Sequence, residues 1–189
     1  MKLHYMGKFS GSESDLPHGE HRPNAVPFRE AGDVRTLAII ANAASAVIMI
    51  LLALPAVLRW RWALAEPSGL LGCLASLLIL FPHELLHAVC FREDVYLYTN
   101  WSQGLLFVVG PEEMSRGRFV FMSLLPNLVF GVLPYLVGMC TGSPFLLILG
   151  VLATGMGAGD YYNVFNALTQ MPKGAKTYLY QFHSYWFQP

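Results

Sequence analysis

The chain has 189 residues, 54% of them hydrophobic and 13% charged, with twelve basic against twelve acidic side chains, and its mean hydropathy is +0.45. So little charge cannot cover that much apolar surface in a soluble domain of this size, and zero net charge offers no basic field to a nucleic acid. The composition describes one membrane domain and argues against a nucleic-acid partner.

Residues 1–35 are polar, with Pro17, Pro23 and Pro27 among scattered charges. They lack the pattern of a cleavable leader, so the first apolar run is expected to stay in the protein. Four runs then approach the length needed to cross about 30 Å of hydrocarbon at 1.5 Å per helical residue. They cover about 36–58, 69–91, 119–140 and 143–168. Between the second and third, the segment 95–109 (VYLYTNWSQGLLFVV) is β-branched and aromatic, with turn-like Thr99-Asn100 and Ser102-Gln103-Gly104, and predicts a β-hairpin. The aromatic tail 171–189 is expected to add a strand or lie in the membrane interface, and Trp60 and Trp62 are read as interface anchors. The expected fold class is an all-α membrane protein: a 1–35 N-terminal segment, a four-helix domain over 36–170 with one small hairpin, and the tail.

Basic residues orient these spans. Lys2, Lys8, Arg22, Arg29, Arg35, Arg92, Arg116, Arg118, Lys173 and Lys176 fall on the side of the termini and central loop, against Arg59 and Arg61 on the other. Both termini and the hairpin are therefore expected in the cytoplasm. Cys73, Cys90 and Cys140 lie in apolar runs without CxxC spacing and read as small buried hydrophobes, Cys90 being a weak candidate ligand.

Inside the second run stands His83-Glu84-Leu85-Leu86-His87, an HExxH pattern where ionisable groups are costly. On a helix the histidines, four positions apart, project roughly 40° from one another and can grip one cation, with Glu84 beside it as general base. A catalytic zinc needs a third protein ligand, and Asp160 is the only other acidic residue within the apolar runs. Span two and span four run in the same direction, and both sites lie one to two turns from the cytoplasmic end. Small residues at Gly155, Gly157, Ala158 and Gly159 allow a neighbouring helix close to Asp160. The alternative for Asp160 is a structural acid or a cap where those glycines kink the helix. Asn127 is read either as a substrate or oxyanion contact, or as a partner for carbonyls freed by Pro126 and Pro134. Asn163 and Asn166 read as packing contacts; His4, His18, His21 and His183 read as surface imidazoles, His183 being a weak alternative ligand.

HELLH near the end of a span, a hairpin after it and Gly157-Ala158-Gly159-Asp160 in the last span resemble the putative zincin peptidase family of small bacterial membrane proteins, itself similar to site-2 proteases. The resemblance runs from about Pro23 through the tail. It implies zinc held by His83, His87 and Asp160, Glu84 as catalytic base, and a place in the bacterial cytoplasmic membrane. The order Pro126-Asn127 and the pair Asp160-Tyr161 depart from the Asn-Pro and Asp-Gly pairs usual in site-2 proteases. The expected function is a membrane-embedded zinc metalloprotease acting on membrane-associated proteins or peptides. The rival readings are a non-catalytic membrane adaptor, in which zinc or an unmetallated His-Glu-Asp cluster only fixes helix packing, and a metal-handling transporter.

Overall fold

The structure, a computed structural model, describes residues 1–12, 15–61, 66–101, 105–180 and 183–189. Its contacts divide the chain into two compact units: Met1–Glu30, Glu84–Ser123 and Asn163–Pro189 form one, Ala31–His83 and Leu124–Tyr162 the other.

The second unit is helical. Helix α1 (Val34–Trp60) starts at Asp33, whose side chain accepts from the Thr36 amide and hydroxyl and so satisfies one of the open N–H groups of the first turn. Helix α2 (Pro67–Leu78) begins with a proline, which costs nothing where no N–H partner exists. After it comes α3 (Leu80–Val89), which passes into the first unit between His83 and Glu84. Helix α4 (Arg116–Asn127) likewise enters from the first unit and continues through a π-helical turn, Leu128–Val132, into α5 (Leu133–Thr141). The π turn has a local cause. Pro134 lacks an amide hydrogen and its ring crowds the carbonyl four residues back, at Phe130, so the backbone widens and the Leu133 N–H reaches the Leu128 carbonyl.

Helix α6 (Pro144–Met156), capped by the Ser143 hydroxyl, is the most enclosed helix, with Leu147, Ile148, Leu149, Ala153 and Thr154 buried. It packs against α1, α2 and α5. Tyr135 on α5 comes so close that a Cβ at Gly150 would overlap its backbone nitrogen. A break at Gly157 leads into α7 (Ala158–Gln170), which passes to the first unit after Tyr162.

The outward faces of these helices are apolar. Ile50, Leu51 and Leu58 on α1 and Leu70, Leu77 and Leu78 on α2 are all more than half exposed. In water such a surface would be an aggregation hazard; against lipid it is the favoured surface. Among the described residues two continuous helices, Arg35–Trp60 and Arg116–Thr141, are long and apolar enough to cross a membrane, or up to four if each bent pair counts as one span.

Among the described residues the first unit carries seven strands in two sheets, which corrects the all-α expectation to a mostly helical fold with some strands. In the three-stranded sheet, β3 (Val95–Asn100) pairs antiparallel with β4 (Leu105–Val109), from Tyr96 opposite Val109 to Asn100 opposite Leu105. Thr99 and Asn100 are thus strand residues rather than a turn, and 102–104 lie outside the described residues, as does Trp62. The N-terminal strand β1 (Leu3–Lys8) joins β3 in parallel, so a segment expected only as a polar N-terminal stretch builds the sheet. The second sheet, in the order β2-β7-β6-β5, combines β2 (Val26–Pro27), β5 (Met114–Ser115) and the tail strands β6 (Lys176–Tyr180) and β7 (His183–Phe187). The tail therefore takes the strand alternative. Phe28, Ala167, Met171 and Ala175 form one buried cluster with Phe119, Val120 and Trp186; Ala88, Phe91, Val95 and Met114 form another.

The spans about 69–91 and 143–168, expected as continuous helices, are each broken. The α2/α3 pair bends by 44° at Ile79 and the α6/α7 pair by 50° at Gly157. Gly157 supplies a weak point that the sequence flagged; Ile79 carries no such signal.

Candidate metal centre

Helix α3 carries His83, Glu84 and His87 with ligand-type atoms all within 4.8 Å of one another, the only such group of three or more His, Cys, Asp or Glu among the described residues. The spacing explains it: positions i, i+1 and i+4 fall on one side of a helical turn.

In the first unit, the His87 ring is 8% exposed and its Nδ1 stands 3.0 Å from the Met122 carbonyl on α4. A carbonyl only accepts, so Nδ1 bears the proton and Nε2 is the unprotonated ring nitrogen, the tautomer that outer-shell carbonyls impose on metal-binding histidines. Glu84 Oε2 accepts from the Val108 backbone N–H at 3.0 Å. Val108 lies on β4, the outer strand of its sheet, so this amide projects away from β3.

The second unit brings Asp160 to His83, with Oδ2 3.1 Å from Nε2 and both side chains 15% exposed. Neighbouring ligand atoms of a tetrahedral zinc with N and O donors stand roughly 3.3 Å apart, so the pair fits a shared ion. Asn127, 1% exposed, donates from Nδ2 to the same Asp160 oxygen at 2.7 Å. The Asp160 and Tyr161 amides both reach the Gly157 carbonyl, which starts α7 and fixes the carboxylate in its first turn. Two imidazoles with an adjacent glutamate on one helix are donor chemistry that zinc takes.

The weaker candidates have other occupations. Cys90 donates its thiol to the Leu86 carbonyl, and its own carbonyl accepts from Arg118 Nε at 3.0 Å and Nη2 at 2.6 Å. His183 lies in β7 opposite Tyr180. His4 pairs with Asp94, His18 with the Leu16 carbonyl and His21 with the Tyr178 hydroxyl. Asn166 bonds Gln170 one turn on, in keeping with a packing role.

Sequence reasoning missed the groups that hold the motif. In the sequence Arg118 reads only as a topology-setting charge, yet its guanidinium stands at the C-terminal end of α3, where carbonyls lack helical partners. Glu112 completes this clasp, pairing with Arg118 and accepting from the Arg92 and Glu93 amides at 2.6 and 3.0 Å. Burial pushes the Glu112 carboxyl up, but Arg118 and the two amides together hold it below the ordinary glutamate value of 4.5. The Met122 carbonyl and Val108 amide are backbone groups that no residue type announces. Tyr161 and Thr154 place buried hydroxyls without hydrogen-bond partners in the second unit, and no sequence signal marks them.

No curated protein and no solved structure matches the chain. The profile of the family described as putative zincin peptidase matches residues 76–176, more than half of the 189 residues and a stretch that contains His83, Glu84, His87, Asn127 and Asp160. The family name implies zinc, for which the geometry of α3 is suited, and the chain belongs to the putative zincin peptidase family.

Proposed function

We propose that the protein is a membrane-embedded zinc metallopeptidase that hydrolyses peptide bonds of membrane-associated proteins or peptides. The observation that carries this reading is the HELLH helix itself: three ligand-type side chains converge on it, and Asp160, from 73 residues beyond His87, stands 3.1 Å from His83. His83, His87 and Asp160 would hold the ion. Zinc, when bound, supplies a Lewis acid for the scissile carbonyl and brings the pKa of water down to about 7.

The side chains do the rest. Glu84 takes the proton of the attacking water and returns it to the leaving amine, the exchange that lets one carboxylate serve as base and then acid. The Val108 N–H fixes Glu84 Oε2, so the base enters the reaction oriented. Met122 holds the His87 ring. Because β4 is an outer strand, an extended substrate backbone can add along it and lie next to Glu84, which suits a protease that must hold its substrate straight.

Strand pairing supports a four-span arrangement. β1 pairs with β3, β2 with β7, and β5 with β6, so the N-terminal segment, the central segment and the tail meet in shared sheets. Strands cannot pair across a bilayer. Once α1 crosses, the α2/α3 pair must cross back, and α6/α7 must do the same after α4 and α5. Together with the charge bias, this supports a reading in which the sheets and both termini lie on the cytoplasmic side.

The test uses purified protein in detergent or nanodiscs. Glu84→Gln keeps a hydrogen-bond acceptor for Val108 but has no basic carboxylate, so it is expected to retain stoichiometric zinc while cleavage of single-span reporter proteins falls by about 10²–10⁴-fold. Undiminished turnover by that variant would remove Glu84 from the mechanism, and wild-type protein without zinc would remove the metal.

A further inference from the structure

Among the described residues Asn127 is one of the most buried polar side chains, at 1% exposure, in a helix long and apolar enough to cross a membrane. A carboxylate can only accept, so its contact with Asp160 at 2.7 Å must be an N–H donated from Nδ2. The contact requires room that one residue provides. Gly157 lies at the break between α6 and α7, where a Cβ would overlap the Asn127 side-chain oxygen. The backbone at Gly157 has φ −76° and ψ 13°, which any L residue adopts, so glycine is required there for space and not for conformation. The carbonyl of the same Gly157 receives the Asp160 and Tyr161 amides. On the other side of Asn127, the helix changes to its π turn at Leu128.

We infer that Asn127 is a positioning residue, committed to the Asp160 carboxylate, and that Gly157 is the cradle that keeps its amide there. The inference rests on the zinc reading and deepens it. With one Asp160 oxygen oriented by Asn127 and its backbone fixed by Gly157, the carboxylate meets the ion without paying to reorganise. Among outer partners of metal ligands, such groups typically contribute 10- to 100-fold in affinity. The role differs from that of an oxyanion donor, for which the amide would have to face the substrate.

The experiment measures zinc affinity of the full-length protein by competition with a chromophoric chelator, and the visible spectrum of the Co²⁺-loaded form. N127A is expected to weaken zinc by about 10- to 100-fold and to change the cobalt spectrum. G157A is expected to do the same by pushing the Asn127 amide aside. The double variant N127A/G157A should bind no more weakly than N127A, because truncating Asn127 removes the overlap. Wild-type affinity in N127A, or losses that multiply in the double variant, would overturn the inference. Should N127A fail to fold, G157A decides: unchanged zinc affinity in it overturns the assignment. Wild-type protein without stoichiometric zinc would sink the metal reading itself, whereas zinc-loaded wild type with an unaffected N127A would sink this inference alone.

Discussion

His83 and His87 sit one turn apart, yet their rings are held by different means. A neutral carbonyl orients His87, whereas an anionic carboxylate faces His83. Removing Asp160 therefore takes away a proposed ligand and the group that fixes His83 at once. Asp160→Ala is expected to cost more zinc affinity than the 10- to 100-fold typical of an outer partner, and more than N127A measured by the same chelator competition. Equal losses for the two variants would place Asp160 outside the metal shell. At this scale the sequence was most legible where the chemistry is local. HExxH needs only five consecutive residues and the pitch of a helix, and Asp160 stood out because an acid among apolar residues is costly. Val108 and Met122 were invisible, since they act through backbone atoms whose placement depends on a strand and a helix far away in the chain. In the sequence Gly157 stands out as a small residue and a point where the helix can kink, but its use in leaving space for Asn127 depends on which side chain lies opposite.

The helix that carries the motif is anchored at its far end by charge. Arg118 donates twice to the Cys90 carbonyl and pairs with Glu112, whose carboxylate also gathers the Arg92 and Glu93 amides. Because the folded Glu112 carboxyl titrates below its unfolded value of 4.5, it stabilises the fold above that pH, and the contribution disappears as pH falls through the lower, folded value. Wild-type protein is therefore expected to lose thermal stability below about pH 4.5 more steeply than Glu112→Gln, which has no such titration; parallel melting curves between pH 3 and 6 would refute this. Packing sets the next limit. Gly150→Leu on α6 would drive a branched side chain into the Tyr135 backbone and is expected to destabilise by about 1–3 kcal/mol or more, read as a lowered melting midpoint. Element positions were largely readable from apolar runs, because a run long enough to cross lipid is long enough to see. The bend at Ile79 and the strand identity of 3–8 were not, since a break without a glycine or proline and a strand completed by a partner more than eighty residues away are decided by tertiary contacts.

Across the whole chain, the pairing of distant strands constrains how it can thread a bilayer. Helix Arg35–Trp60, with 26 residues, is about 39 Å long, enough to cross the hydrocarbon alone, and so is Arg116–Thr141. The bent pairs are ambiguous by length: each could cross, or could dip in and return. If both were re-entrant, the chain would cross twice, and the segment from Arg92 to Ser115 would lie on the side opposite the termini. β3 would then be separated by a membrane from β1, and β5 from β6, although each pair shares a sheet. Four crossings would keep all these strands in one compartment, with Glu66 on the other side. The prediction follows with native Cys73, Cys90 and Cys140 replaced by alanine and single cysteines introduced at Glu66 and at Glu93, both exposed. In intact bacterial cells a membrane-impermeant maleimide should label the Glu66→Cys protein and spare Glu93→Cys until the membrane is opened. Labelling of Glu93→Cys from outside would invert the orientation if Glu66→Cys were then protected. Labelling of both would mean that α2 and α3 do not cross, and the shared sheets could not form as described.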